Sequence, residues 1–358
     1  MKIVCFHLFN DYSGSPRVLH NTIEGLLERG YDIDLITSRG GILDTIRHSK
    51  LSVRHYGYRF SSNPAVTMLR YAWAQLLTFG IALTYAFRKD TIFYINTILP
   101  VGPAVAGRLT GKKVIYHYHE NASVKSGFYR ALCAAMQRMA HRIICVSNYQ
   151  ASLLTRRKDV HVIPNTLDEQ FLAQLRPNPY EAFERKTVLM LSSLKAYKGT
   201  KEFLQLAEAL PDYRFELVIN DTQQAIDAWL TAECINPAAN VAIYPRTTDI
   251  ASFYNRASLV LNLSNPDLVI ETFGLTALEA MADALPVIVP PVGGIAELVA
   301  DGVNGYKVDL RDFENLKSKI CGILSDKSLY LHLSENAFKS SQEFSRAKHL
   351  DCLTLLLK

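Results

Sequence analysis

The 358-residue sequence contains no C-x-x-C pair; its six cysteines (Cys5, Cys133, Cys145, Cys234, Cys321 and Cys352) lie far apart, with no histidine at metal-ligand spacing. That scatter argues against a zinc centre or a disulfide framework and fits reduced thiols in a cytosolic protein. No G-x-G-x-x-G follows the opening apolar run KIVCFHLF, where only Gly14 appears, so a dinucleotide-dependent oxidoreductase is not expected. The N-terminal MKIVCFHLFN has too short an apolar run for a secretory leader. A long uncharged stretch, Tyr71 to Phe87, holds Gln75, Thr78 and Thr84. It falls at the bottom of the membrane-spanning range and is expected to be a buried helix. Scarcest of all are carboxylates in the first half. Between Leu51 and Lys158, fifteen basic residues face only Asp90 and Glu120. Residues 1–170 carry +10 and residues 171–358 carry −5, within a net charge of +5. Such an asymmetry points to a polyanionic partner, nucleic acid or an anionic membrane surface; no recognisable nucleic-acid module supports the first.

What is present is regular alternation. KIVCFHLF, the turn DYSGSP and the helix-like RVLHNTIEGLLERG form a strand–turn–helix opening, closed by Gly30 and followed by YDIDLITS. TIFYINTI, KKVIYHYH and RIICVSN continue the series, and a second series runs from KTVLMLSSL through RFELVIN, NVAIYP, SLVLNLS and LPVIVPP. Strands alternating with helices make a parallel sheet with crossovers. The chain is long enough for two domains at roughly 150 residues each. The expected fold class is therefore α/β, with two doubly wound, Rossmann-like parallel-sheet domains facing a central cleft. Their expected bounds are 1–168 and 186–335, with a polar linker, DEQFLAQLRPNPYEAFER, between them. A C-terminal helix, 336–358, could return to the first domain.

Residues 265–309 concentrate the chemistry. The strand SLVLNLS leads into a loop holding Glu271, Phe273 and Gly274, then a helix beginning Leu275-Thr276 and reaching Glu279. A glycine before a helix N-terminus lets the backbone approach an anion such as a diphosphate. Glu271 lies before the helix and Glu279 in its second turn, so the two carboxylates suit hydrogen-bonding to sugar hydroxyls better than joint proton transfer.

The segment Glu271-Thr-Phe-Gly-Leu-Thr-Ala-Leu-Glu279 resembles the E-x7-E signature of the family 4 retaining glycosyltransferases of GT-B fold. Pro286, Gly293, Gly294, Glu297 and the Asn304-Gly305-Tyr306 turn are similar to the same family. VIPNTLD (Asn165, Asp168) resembles its interdomain element, Lys198-Gly199 its K-G, and His119-Glu120 the H-[DE] closing a strand of its first domain. The resemblance implies that Glu271 binds hydroxyls of the donor hexose and Glu279 those of the ribose. It gives the amides of Phe273, Gly274 and Leu275 to the sugar and diphosphate, Lys198 to the departing diphosphate, and His119 to the donor sugar near its reacting centre. Gly14, in Ser13-Gly14-Ser15, would lie near the donor phosphates and the acceptor. Thr276 joins the donor-binding set, and Arg246, in the segment resembling the nucleobase loop (Tyr244 to Thr247), is a further candidate. One departure stands out: Ser193 occupies the position of an arginine that often contacts the diphosphate, so either Lys195 replaces it or Ser hydroxyls do.

The implied activity is metal-independent hexosyl transfer, with retention, from a UDP- or GDP-linked sugar to a hydroxyl of a glycan or lipid-linked glycan in cell-surface polysaccharide synthesis. No cofactor and no nucleic acid are implied. Alternatives are a GT-B-like nucleotide-sugar epimerase and a non-catalytic partner subunit. The stretch FYRALCAAMQRMAHR, with Arg130, Arg138 and Arg142, reads as a helix able to dock on an anionic bilayer. The expected location is cytoplasmic, peripheral on the cytoplasmic face of the inner membrane.

Overall fold

A computed structural model describes every residue except 123–125 and 157. The chain divides into two compact units, Met1–Thr166 with Arg346–Lys358, and Leu167–Ser345. In the first unit, strands β1 (Lys2–Phe6), β2 (Asp32–Ser38), β3 (Leu51–Tyr56), β4 (Thr91–Asn96), β5 (Lys113–Tyr118), β6 (Arg142–Cys145) and β7 (Val160–Val162) form one parallel sheet of order β3-β2-β1-β4-β5-β6-β7. In the second, β8 (Thr187–Ser192), β9 (Arg214–Ile219), β10 (Val241–Tyr244), β11 (Leu259–Leu261), β12 (Val287–Val289) and β13 (Gly305–Lys307) pair in the order β10-β9-β8-β11-β12-β13, also parallel.

The inner strands are largely apolar because both faces of each sheet are covered, with Asp34 in β2, His117 in β5 and Glu216 in β9 among the charged or titratable exceptions. Val4 and Phe6 point into one core layer with Phe93, Ile95 and Tyr116; Ile3 and Cys5 point into the other with Ile33, Leu35 and Tyr94. Each sheet reverses its order once, between β1 and β4 and between β8 and β11. Ligands of such sheets bind beyond the carboxyl ends of the strands at that reversal.

Three details differ from the sequence reading: the linker, the start of the C-terminal helix and the edge strands. The expected linker is folded: Glu169–Leu172 and Pro179–Arg185 are helices of the second unit. Asp168 caps the first, accepting from the amides of Gln170 (2.7 Å) and Phe171 (3.0 Å). The C-terminal helix is Arg346–Leu357 and belongs to the first unit, where Leu350 fills the space beside Gly25; the preceding helix, Lys327–Ser341, stays with the second. Strands β3, β7 and β13 lie at or beside sheet edges, and their short or half-buried sequences carry little of the apolar signal.

The uncharged stretch is the largest correction. It begins within α2 (Pro64–Leu83) and runs past its end; the helix starts where Asn63 Oδ1 accepts from Ala65 N at 2.9 Å. A buried helix was expected, but only Ala74, Thr78 and Ala82 are buried, while Leu69, Trp73 and Leu76 are 72%, 62% and 66% exposed. The buried side is made of small residues because α2 approaches α3 (Gly102–Leu109) closely. A Cβ on Gly102 would lie 2.2 Å from the Gln75 carbonyl oxygen. Gln75 Oε1 in turn accepts from the amides of Val101 and Gly102 at 2.8 and 2.9 Å. Most residues around this helix are apolar, yet among the described residues its packing partners lie on one side.

Gly102→Ala should therefore destabilise the protein by about 1–3 kcal/mol in urea unfolding, despite alanine's better helix propensity, because the added methyl meets backbone that cannot yield. Unchanged stability would contradict the close α2–α3 approach.

Candidate active site

In the second unit the loops after β8 and β11, which flank the reversal, are fastened to each other. Gly199, at φ 69°, packs against β11's continuation so closely that a Cβ would lie 2.2 Å from the Leu263 carbonyl oxygen. Asn265 N donates to Tyr197 O at 2.7 Å. This fastening presents Lys198 to Glu271, and the two form an ion pair through Lys198 Nζ and Glu271 Oε1. Ser264 Oγ donates to the same carboxylate oxygen at 2.8 Å. Behind Glu271, its carbonyl accepts from Gly294 N at 2.8 Å, and Gly293, at φ 95°, leaves that carbonyl the room it needs.

Burial by itself would push the Glu271 carboxyl up. Lys198 beside it, the Ser264 hydroxyl and the charge of Lys195 outweigh burial and hold it below its ordinary value. For Lys198, burial works downward and the Glu271 charge upward, and the carboxylate wins. Both groups are thus charged across the neutral range.

Gly274, at φ 108°, begins the Leu275–Ala282 helix, with Ile295 packed where a Cβ would stand. The amides of Leu275 and Thr276 make no hydrogen bond to a described residue, leaving donors at the positive end of the helix dipole. Phe273 is buried, its ring 5.9 Å edge-on from that of Phe344, and anchors the loop. One turn into the helix, Glu279 is buried and Oε2 accepts from the Tyr254 hydroxyl at 2.6 Å. Cation, carboxylates and free amides thus lie on the loops and helix that follow the strand-order reversal, donors and acceptors that suit an anionic, polyhydroxylated ligand.

The Glycosyl transferases group 1 family model matches residues 175–340, and the Glycosyltransferase Family 4 model matches residues 12–171. The chain is a glycosyltransferase of GT-B fold. It is similar to an uncharacterized glycosyltransferase of Haemophilus influenzae, at 22% identity over 98% of each chain. In fold it is similar to Anabaena Alr3699/HepE, solved in complex with UDP and glucose, with a TM-score of 0.81 and 20% identity over 100% of this chain and 99% of that one. A third neighbour is WaaG, a glycosyltransferase involved in lipopolysaccharide biosynthesis, with a TM-score of 0.71 and 16% identity over 99% of this chain and 100% of that one.

Within this glycosyltransferase the motif residues fall in two groups. In the second unit the structure unites Lys198, Lys195, Glu271, Gly274, Leu275, Thr276 and Glu279. Lys195 Nζ and Lys198 Nζ lie 5.9 and 5.4 Å from the centre of the Tyr197 ring, so a second cation stands close to the pair. At Ser193 the carbonyl accepts from Thr200 Oγ1 at 3.2 Å, and the hydroxyl makes no hydrogen bond to a described residue. Arg246 lies after β10, two strands from β8, and donates to Asn220 Oδ1 at 2.7 Å. Asn304 has a structural task, bonding Ala300 N, Leu298 O and Ser340 Oγ around its turn.

In the first unit, His119 follows β5, and its Nε2 donates to Asn96 Oδ1 at 2.8 Å. The Asn96 amide donates to His7 Nδ1 and to Ser15 O, both at 3.1 Å. Gly14 opens α1 (Gly14–Glu28), so Asn96 ties His119 to the start of that helix. Sequence reasoning missed both His7 and Asn96. The signal for Asn96 was a polar residue closing the fully buried strand TIFYIN at the sheet's reversal. Burial lowers His119 to about 3, with His7 and His349 acting in the same direction, and burial lowers His7 to about 4. Both are neutral imidazoles at neutral pH.

Because its folded value lies below the ordinary 6.5, neutral His7 contributes stability above pH 6.5 that is lost as pH falls toward 4. Between pH 7 and 4 the wild-type chain should lose about 3 kcal/mol more than His7→Gln, which keeps an acceptor for Asn96 but cannot take up a proton. The pH dependence of unfolding measures the difference, and equal slopes would contradict a neutral His7.

Proposed function

We propose that this glycosyltransferase moves a hexosyl unit, with retention of anomeric configuration and without a metal ion, from a UDP- or GDP-linked sugar to a hydroxyl of a glycan or lipid-linked glycan in cell-surface polysaccharide synthesis. The observation that carries the reading is the Lys198–Glu271 pair beside the open amides of Leu275 and Thr276. As the glycosidic bond breaks, negative charge grows on the diphosphate. Lys198, Lys195 and the helix amides stand ready to neutralise it, the task a metal ion performs elsewhere. Glu271 would accept hydrogen bonds from hexose hydroxyls, and Glu279, steadied by Tyr254, from the ribose. His119 would meet the donor sugar as a neutral imidazole, a hydrogen-bonding group rather than a charged acid. Attack from the face that the leaving group departs would let a diphosphate oxygen take the acceptor's proton. The UDP in the Anabaena complex favours UDP as the nucleotide.

The cytoplasmic side of a membrane is the place where a lipid-linked acceptor meets a cytosolic donor. The basic balance of the first unit supports contact with an anionic membrane surface.

Calorimetry with UDP, GDP and ADP, in EDTA and in magnesium, tests the donor site. One nucleotide should bind with an affinity that EDTA does not change. Lys198→Ala should weaken it roughly ten- to a hundredfold, the loss of a charge-assisted contact, and Glu279→Ala should weaken it as well. Binding of no nucleotide, or binding only with magnesium, would overturn the reading.

A further inference from the structure

The outward side of α2 has no partner among the described residues. Leu69, Trp73, Leu76, Gly80, Leu83 and, just past the helix end, Phe87 recur at three- and four-residue spacing, so they form one stripe. All are exposed, Phe87 completely. The opposite side (Ala74, Thr78, Ala82) is the side that packs on the fold.

By length and composition Pro64–Leu83 could cross a membrane. Its hydrogen bonds show why it would not. Tyr71 OH donates to Leu99 O at 2.8 Å, Gln75 Oε1 receives the Val101 and Gly102 amides, and Tyr85 OH, beyond the helix end, donates to Asp34 Oδ2 at 2.7 Å. Spanning would strip these polar groups of their partners in an environment that offers none. A helix fixed by one side with an apolar stripe on the other lies in an interface.

Charge identifies the occupant. Cations stand at both ends of the stripe. Arg70 donates to the carbonyls of Arg59 and Phe60 near the start, and Arg88 and Lys89 follow its end, with Lys112 Nζ bonded to Arg88 O. From residue 51 to 122 the sequence has eight basic residues against Asp90 and Glu120. A second copy of this face would oppose cation to cation, whereas an anionic bilayer supplies both acyl chains and negative headgroups.

We propose that α2 is an in-plane membrane helix whose Leu69–Phe87 stripe enters the headgroup and acyl boundary of an anionic bilayer, with the flanking Arg and Lys side chains on the lipid phosphates. This deepens, and rests on, the membrane contact of the proposed function, and it relocates the contact. The helix that the sequence suggested for docking is α4 (Gly127–Met139), which ends before Arg142. Arg142 belongs to β6 and its guanidinium bonds Leu356 O. The Phe128 ring at the start of α4 meets Tyr71 of α2 edge-on at 5.5 Å, so α4 adjoins the stripe without carrying it.

The test is flotation of the full chain with vesicles of phosphatidylcholine alone or with one third phosphatidylglycerol, without donor or acceptor. Trp73 fluorescence is followed in Trp229→Phe, which leaves Trp73 as the sole tryptophan. Wild type should bind the anionic vesicles, with Trp73 emission shifting to the blue and quenched by brominated lipid. Trp73→Ser/Leu76→Ser should bind at least about tenfold less, and Arg88→Gln/Lys89→Gln should lose roughly tenfold of the anionic preference. Both variants should keep wild-type nucleotide binding and unfolding midpoints. Absence of wild-type binding, unchanged binding by the stripe variant, or a lipid-free dimer that the stripe variant dissociates would each overturn the proposal. Failure of nucleotide binding with vesicle binding intact would instead strike the donor site alone.

Discussion

An ion pair that is mostly withdrawn from water must be held in place by something other than its own attraction, because desolvation cancels much of the Coulomb gain. Lys198 and Glu271 meet this condition. Each sits on a loop leaving one side of the β8/β11 reversal, and three positive-φ glycines let those loops pack closely, two against backbone carbonyls and the third against a side chain. Gly199 fits against Leu263, Gly293 against Glu271 and Gly274 against Ile295. The chemistry of the second unit depends on this fastening, since it brings a cation, a carboxylate and open helix amides to one place before any ligand arrives.

The first unit solves a similar problem with neutral groups. At the β1/β4 reversal, Asn96 is completely buried and serves His7, His119 and Ser15 at once. A charged imidazole there would face another imidazole across the same amide. Burial keeps both neutral, and each ring presents a defined face. The two sheets thus place unlike chemistry at equivalent topological positions, ionic in one and neutral in the other.

Much of this could be read from the sequence because the inner strands bury both faces and so appear as largely apolar runs. The loop–glycine–helix segment from Glu271 to Glu279 was equally plain, since a glycine at that point has a conformational reason. Asn96 and His7 escaped because a buried polar residue carries no periodic signal, and the partners of Asn96 come from two other strand ends and the start of a helix. Tyr254 escaped as the support of Glu279 for the same reason. The α2 helix misled for a different reason: an uncharged run reports what a segment can tolerate, not what covers it, and contacts distant in sequence, such as that with Gly102, decide which side is inward. The helices at Glu169–Leu172 and Pro179–Arg185 were read as a linker because their prolines and polar residues, which here cap and start helices, also mark turns.

Pre-pairing of Lys198 with Glu271 gives the account its sharpest consequence. If the lysine exists to meet a diphosphate, it must be able to share its charge between the carboxylate and an incoming phosphate oxygen. A structure of the chain bound to a nucleoside-diphosphate hexose tests this directly. In that complex Lys198 Nζ should lie within about 3 Å of a diphosphate oxygen, with the amides of Leu275 and Thr276 on the same group and Glu271 on a hexose hydroxyl. A diphosphate seated away from the Leu275–Ala282 helix, with Lys198 still bonded only to Glu271, would contradict it.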